Sequence, residues 1–151
     1  MTELVKVDAR ILNKVSLSIN SQDDSVVLTL HIPTDLDYFK GHFDQAPILA
    51  GVVQLHWAAK FAQQYLDISA TDVMDIQVLK FQEMILPGQE IVLTLTKKST
   101  EKVLFSYQST SPNGDIKSHS SGRLIFAETA VHPVLEDITL TISEDNKAGE
   151  V

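Results

Sequence analysis

Gly41-His42-Phe43 lies between a strand-like pattern and a helix-like one, and Pro47-Ile48-Leu49-Ala50-Gly51 carries the chain from it to the start of the helical segment. The chemistry this arrangement allows is proton transfer beside a polarised carbonyl. A helix start offers unpaired backbone N–H groups and a positive dipole end, so a carbonyl seated there is polarised. Glycine at position 51 lets backbone and ligand approach with no side chain between them. Polarisation acidifies the adjacent carbon, and a neutral imidazole, with a reference pKa near ~6.5, is a suitable base for its proton. His42 is the candidate base. The same loop position also suits a hydrogen-bonded structural histidine, and spacing alone does not choose between the two.

The remaining side chains narrow the field. With no cysteine, disulfides, thiolate nucleophiles and zinc-thiolate sites are excluded together. His31 falls on a strand pattern, His119 in a polar strand among Ser118, Ser120 and Ser121, and His132 before Pro133, and none has ligand spacing. No metal site and no cofactor is expected. Twelve Lys and Arg against twenty Asp and Glu leave a net charge of −8, a field that repels nucleic-acid phosphates and anionic membranes. An acidic protein partner would need a local basic patch, for which Lys40, Lys60, Lys80 and Arg123 are the candidates.

These residues need elements to hold them. Val15, Leu17 and Ile19, then Val26, Leu28, Leu30 and Ile32, alternate with polar residues around Ser21-Gln22-Asp23-Asp24, which predicts a β-hairpin. Thr34 to Phe39 has the cap-like opening of a short helical turn. From Gly51 to about Leu66 the chain has no proline and is apolar around most of its circumference, which predicts a buried helix. His56, Lys60 and Gln63 fall on one stripe of it, with Gln54, Ala58, Phe61 and Tyr65 on another. Trp57 and Phe61 read as core. Period-two patterns then predict strands near 74–84, 89–98, 102–110 and 115–127, broken at Pro87-Gly88, Ser99-Thr100-Glu101 and Pro112-Asn113-Gly114-Asp115. One long helix with a run of antiparallel strands is an α+β arrangement.

At 151 residues the chain suits one domain, able to bury ~70% of its unfolded surface. We expect that domain over residues 1–142, including a possible strand at Ile138–Ile142, and a disordered tail over 143–151. No run approaches the ~20 apolar residues of a membrane span, and the expected location is the cytoplasm.

The stretch from Tyr38 to Leu55, YFKGHFDQAPILAGVVQL, resembles the signature of 3-hydroxyacyl-acyl-carrier-protein dehydratases of the FabA/FabZ type, and Lys80-Phe81 with Ile85-Leu86-Pro87-Gly88-Gln89 resembles the strand and turn that follow their helix. The resemblance covers roughly residues 25 to 127. It implies a hotdog fold, with one long central helix wrapped by an antiparallel β-sheet. It also implies that His42 takes the C2 proton of a 3-hydroxyacyl thioester and that the Gly51 N–H binds the thioester carbonyl. The substrate is then carried on an acyl carrier protein or coenzyme A. The resemblance further implies at least a homodimer, or a larger assembly such as a trimer of dimers, with the two catalytic residues of one site drawn from different chains and an apolar acyl tunnel along the interface. Phe43 and Lys60 join Gly51 as substrate-binding candidates.

Departures from that signature are as informative. The family's second catalytic residue is a Glu or Asp fourteen residues after the histidine, and here that position is His56; four residues on, where Gln is common, stands Lys60. His56 is the candidate for protonating the leaving hydroxyl, although a neighbouring Lys60 opposes a charged imidazole, and it reads alternatively as a substrate-positioning residue or as the remnant of a lost activity. Asp44 and Ala50 replace prolines and loosen the loop. Asp44 either orients an imidazole or is a solvated carboxylate. Gln54-Leu55-His56-Trp57-Ala58 is closest to the aryl-polyene, ApeI-like branch. The expected activity is dehydration to the trans-2-enoyl thioester. Two alternatives are an acyl-binding half-site subunit of a dehydratase heteromer and a hotdog thioesterase.

Overall fold

A computed structural model of the chain describes residues 8–19, 23–36 and 48–127. Six strands and one helix follow in the order β1 (Arg10–Ile19), β2 (Asp23–His31), α1 (Gly51–Tyr65), β3 (Val73–Phe81), β4 (Glu90–Lys97), β5 (Lys102–Thr110) and β6 (Ile116–Phe126). The strands form one antiparallel sheet in the order β1-β2-β4-β5-β6-β3. Helix α1 therefore carries the chain from β2, near one end of the sheet, to β3 at the opposite edge.

Alternation in the strands decides which face the helix meets. Val26, Leu28 and Leu30 of β2, Ile91, Leu93 and Leu95 of β4, Val103, Phe105 and Tyr107 of β5, and Leu124 and Phe126 of β6 are buried together with Trp57, Ala58, Phe61 and Ala62 of α1. Successive strand residues point to opposite faces, so these make a single apolar inner face. The helix depends on it. Among the described residues α1 has no side-chain cap bond at Ala50, and no acid stands in its first turn. Such features each contribute about 1 kcal/mol, whereas fully burying Trp57 or Phe61 contributes about 2–3 kcal/mol apiece. Packing, more than end chemistry, holds the helix in place.

The helix differs from the sequence expectation in one respect: it is not buried all round. Val53, Gln54, Trp57, Ala58, Phe61 and Ala62 are buried, while His56 is exposed and Val52 is 72% exposed. Apolar composition had masked a helix with one face in the sheet and one face outward. Turn chemistry behaves as expected. Gly114 adopts φ 92° in the β5–β6 hairpin, and Gly88, at φ 83°, donates its N–H to the Ile32 carbonyl at 2.7 Å.

The expected turn at 21–24 shifts, because Asp23 and Asp24 already pair in β2 with Ile19 and Ser18. The helical turn expected over 34–39 reaches the described residues at 34–36, where Thr34 and Asp35 form a turn. The strand at 138–142 and the tail lie outside the described residues, as does the far boundary of the domain. Among the described residues no helix is long and apolar enough to cross a membrane.

Candidate functional site

Among the described residues the start of α1 is open. Val53 and Gln54 N–H groups donate to the Ala50 carbonyl at 3.1 and 3.2 Å, and no acceptor for the Gly51 or Val52 N–H appears among the described residues. An Ala at the N-cap, where Ser or Asp would fold back on these donors, keeps them available to a ligand. Gly51 is also a point of close approach. A β-carbon there would fall 2.6 Å from Phe81 Cζ. The aromatic ring at the end of β3 thus lies against the glycine that was expected to bind a carbonyl.

One helical turn on, His56 projects from the outward face of α1. It lines a cleft of about 470 Å³ between α1 and the β3–β6 edge, together with Val52, Leu55, Ala59, Lys60, Val73, Ile76 and Leu124. Gln63, Thr71 and Asp72 add polar groups to the same cleft. The stripe expected from spacing, His56-Lys60-Gln63, therefore faces one cavity. A cleft of this size with apolar walls and a few polar groups is of the kind that takes a small organic ligand.

Lys60 is not the isolated charge assumed from sequence. Its Nζ lies 2.7 Å from Asp8 Oδ1, so its charge is compensated where the sequence reading had it opposing a cationic His56. Nothing near Lys60 in the sequence announces Asp8, which the fold brings in from more than fifty residues away. Of the four cations named as candidates for a basic patch, the three that lie among the described residues, Lys60, Lys80 and Arg123, separate. Lys60 lies on the helix side of the sheet, whereas Lys80 lines a hollow of the outer face with Thr94, Thr96 and Ser121, and Arg123 donates to Gln77 Oε1 at 3.2 Å. The expected patch does not form among the described residues, because strand alternation turns Lys80 and Arg123 away from α1. Lys40, His42, Phe43 and Asp44 lie outside the described residues.

Beneath the helix start is a polar layer that the sequence did not advertise. Gln54, Ser109, His119 and Ser120 are all buried. His119 Nε2 lies 2.7 Å from Ser109 Oγ and its Nδ1 lies 3.0 Å from the Glu83 carbonyl. A carbonyl can only accept, so Nδ1 carries a proton, and in the neutral ring the Ser109 hydroxyl donates to Nε2. The Tyr107 hydroxyl donates to the Gln54 carbonyl at 2.6 Å, and burial holds its pKa well above the usual phenol value. In the sequence His119 stands in a polar strand and lacks ligand spacing, and neither feature signals this buried role. Among the described residues no three His, Asp or Glu side chains group where they could hold a metal ion.

Comparison with known proteins bears on the whole arrangement. Residues 18–123 match the sequence profile of the ApeI-like family, described as ApeI dehydratase. Over 81 residues the chain is 27% identical to a 3-hydroxyacyl-[acyl-carrier-protein] dehydratase FabZ of Streptococcus pneumoniae serotype 4, an alignment spanning 49% of this chain and 57% of that relative. The fold is similar to that of an uncharacterised protein from Erwinia carotovora subsp. atroseptica, with a TM-score of 0.68, 27% identity, and coverage of 80% of this chain and 97% of that one. It is also similar to a chain of the dehydratase heterocomplex ApeI:P from Xenorhabdus doucetiae, with a TM-score of 0.65, 24% identity, and coverage of 80% and 99%. The sheet wrapped on one helix is the hotdog fold of these dehydratases. With its profile match running from β1 into β6, the chain belongs to the ApeI-like family of FabA/FabZ-type hotdog dehydratases.

Proposed function

We infer that the protein is a hydro-lyase that converts a 3-hydroxyacyl thioester into the trans-2-enoyl thioester and water. The observation that carries this reading is the cleft along α1, in which an imidazole, His56, stands at the family's acid position beside an apolar trough, one turn from the open Gly51 N–H. The Gly51 N–H polarises the thioester carbonyl, and His42 removes the C2 proton. The electron pair of that C–H bond becomes the C2–C3 double bond as the C3–O bond breaks. His56, as imidazolium, gives its proton to the departing hydroxide, and proton return from His42 to His56 closes the cycle. Lys60 and Phe43 are assigned to the substrate, with the acyl chain along Val52, Leu55, Ala59, Val73 and Ile76. The thioester is carried on an acyl carrier protein or coenzyme A.

An oligomer fits the edge of the sheet. Among the described residues β3 is the last strand, and it exposes Met74, Val78 and Phe81, an unusual apolar content for a sheet edge. A second chain paired there would cover the edge and close the cleft. Whether that chain is identical is the point on which a second reading turns. The ApeI:P relative is a dehydratase heterocomplex, and the carboxylate missing at His56 fits a subunit that lends a half-site to a different dehydratase chain.

The test follows enoyl-thioester absorbance with the purified protein and with His42→Ala, His56→Ala and His56→Glu. Turnover is expected to fall about 10²- to 10⁴-fold in each alanine variant. Undiminished turnover in His42→Ala overturns the mechanism, and release of free thiol in place of enoyl product makes the protein a thioesterase. Inert wild type with an active His56→Glu variant favours the half-site.

A further inference from the structure

Leu49 is the last buried residue before α1, and both of its main-chain groups are held. Its N–H donates to the Ile85 carbonyl at 2.8 Å, and its carbonyl accepts from Gln54 Nε2 at 3.1 Å. Gln54 is in turn fixed by Ser120, whose hydroxyl donates to Oε1 at 2.6 Å, and by Tyr107 at its own carbonyl. The segment that contains Ile85 is held by the same stretch of β6. Gln82 N–H donates to the His119 carbonyl at 2.9 Å, Glu83 N–H to the Ser118 carbonyl at 3.2 Å, and His119 Nδ1–H to the Glu83 carbonyl at 3.0 Å.

The register explains how one strand serves both routes. Tyr107 pairs with Ser120 and Gln108 with Ser118, which leaves His119 as the extra residue of a β-bulge. A regular strand would send residues 119 and 120 to opposite faces. The bulge turns both inward, where His119 is 2% and Ser120 1% exposed. One reaches the β3–β4 connection and the other reaches Gln54.

Between the held Leu49 carbonyl and the first turn of α1 only Ala50 remains, at φ −63° and ψ 148°. The direction of the Gly51 N–H follows from those two rotations. We propose that Gln54, seated on the β6 bulge through Ser120, is the positioning residue that aims the Gly51 N–H at the substrate carbonyl. This rests on the reading that the Gly51 N–H polarises a thioester. Gln54 touches no reacting atom. It acts by denying the Leu49–Ala50 peptide any other orientation, and because it is satisfied at both ends of its amide it does so without leaving a buried polar atom unpaired.

The experiment measures the carbonyl stretching frequency of a bound, carbonyl-labelled 2-enoyl coenzyme A thioester alongside kcat and KM. It uses the whole chain as wild type, Gln54→Met, Gln54→Glu and Ser120→Ala. In wild type the stretch is expected below its solution value. In Gln54→Met it returns toward that value, and kcat falls about 10- to 100-fold with KM within about threefold, the signature of a misaimed donor. Ser120→Ala gives a smaller change of the same kind and carries the test should Gln54→Met fail to show a cooperative melt. Gln54→Glu gains activity relative to wild type as pH falls, since a protonated carboxyl donates to the Leu49 carbonyl whereas a carboxylate repels it. An unshifted stretch in wild type overturns the thioester reading itself. A shift in wild type that persists, with unchanged kcat, in Gln54→Met or, where that variant does not fold, in Ser120→Ala overturns the positioning role alone.

Discussion

The ring of Phe81 lies against the α-carbon of Gly51, so that an added β-carbon would sit 2.6 Å from Cζ and 2.8 Å from Cε1. Both belong to the far side of a ring that is 50% exposed at the end of edge strand β3. The ring can therefore yield, but only by moving away from the helix start. Gly51→Ala is expected to change stability by less than about 1 kcal/mol, since the better helix propensity of alanine offsets the displaced ring. Enoyl-thioester turnover is expected to fall at least ~10-fold, because the methyl group crowds the donor. Thermal melts and the absorbance assay measure the two effects separately. A loss of several kcal/mol would show that Phe81 cannot move.

Val78 adopts φ 47° in β3, where the pairing slips between Gln77 and Lys80. A β-branched residue in this region carries roughly 1–2 kcal/mol of strain, and at 64% exposure Val78 recovers little of it by burial. Val78→Gly is expected to relieve that strain at the usual entropic cost of glycine, for a net rise in Tm of about 1–3 °C. A fall in Tm would mean that the valine is held by contacts made only in an assembly.

The buried phenol of Tyr107 supports a pH prediction. Its folded pKa is raised by burial, so the unfolded chain releases this proton first as pH rises. The stabilisation is complete below the unfolded phenol value near ~10 and is lost as pH climbs from there toward the folded value. Tyr107→Phe should lower stability by about 1 kcal/mol at neutral pH, through the lost bond to the Gln54 carbonyl, and should flatten the alkaline decline. Urea unfolding between neutral and strongly alkaline pH measures both. Parallel alkaline slopes in the two proteins would contradict it.

Ser109→Ala removes the hydroxyl 2.7 Å from His119 Nε2 and leaves a buried ring nitrogen without its partner. The expected cost is about 1–3 kcal/mol, read as a lower urea midpoint at unchanged m. An unchanged midpoint would mean that another group replaces the serine.

Much of this protein was legible in local pattern. Period-two alternation located β4, β5 and β6 to within a residue and ran β3 three residues too long at its end, Asn113-Gly114 marked its hairpin, and the 3.6-residue period placed His56, Lys60 and Gln63 on one stripe that does line one cleft. Such features arise from the backbone geometry of neighbouring residues, and every neighbour is visible in the chain. The signature from Tyr38 to Leu55 by itself indicates the dehydratase family.

The tertiary structure alone decided what depends on register and long-range approach. Lys60 and Asp8 are brought together only by folding, and Lys80 and Arg123 are parted from Lys60 only because the sheet has two faces. The outward side of α1 is hidden in a helix whose composition is apolar nearly throughout. His119 and Ser120 are consecutive residues that alternation would separate, and a single extra residue opposite Tyr107 and Gln108 turns both inward. A bulge reflects how two strands pair, not the preference of either one, so one strand read by itself carries no sign of it.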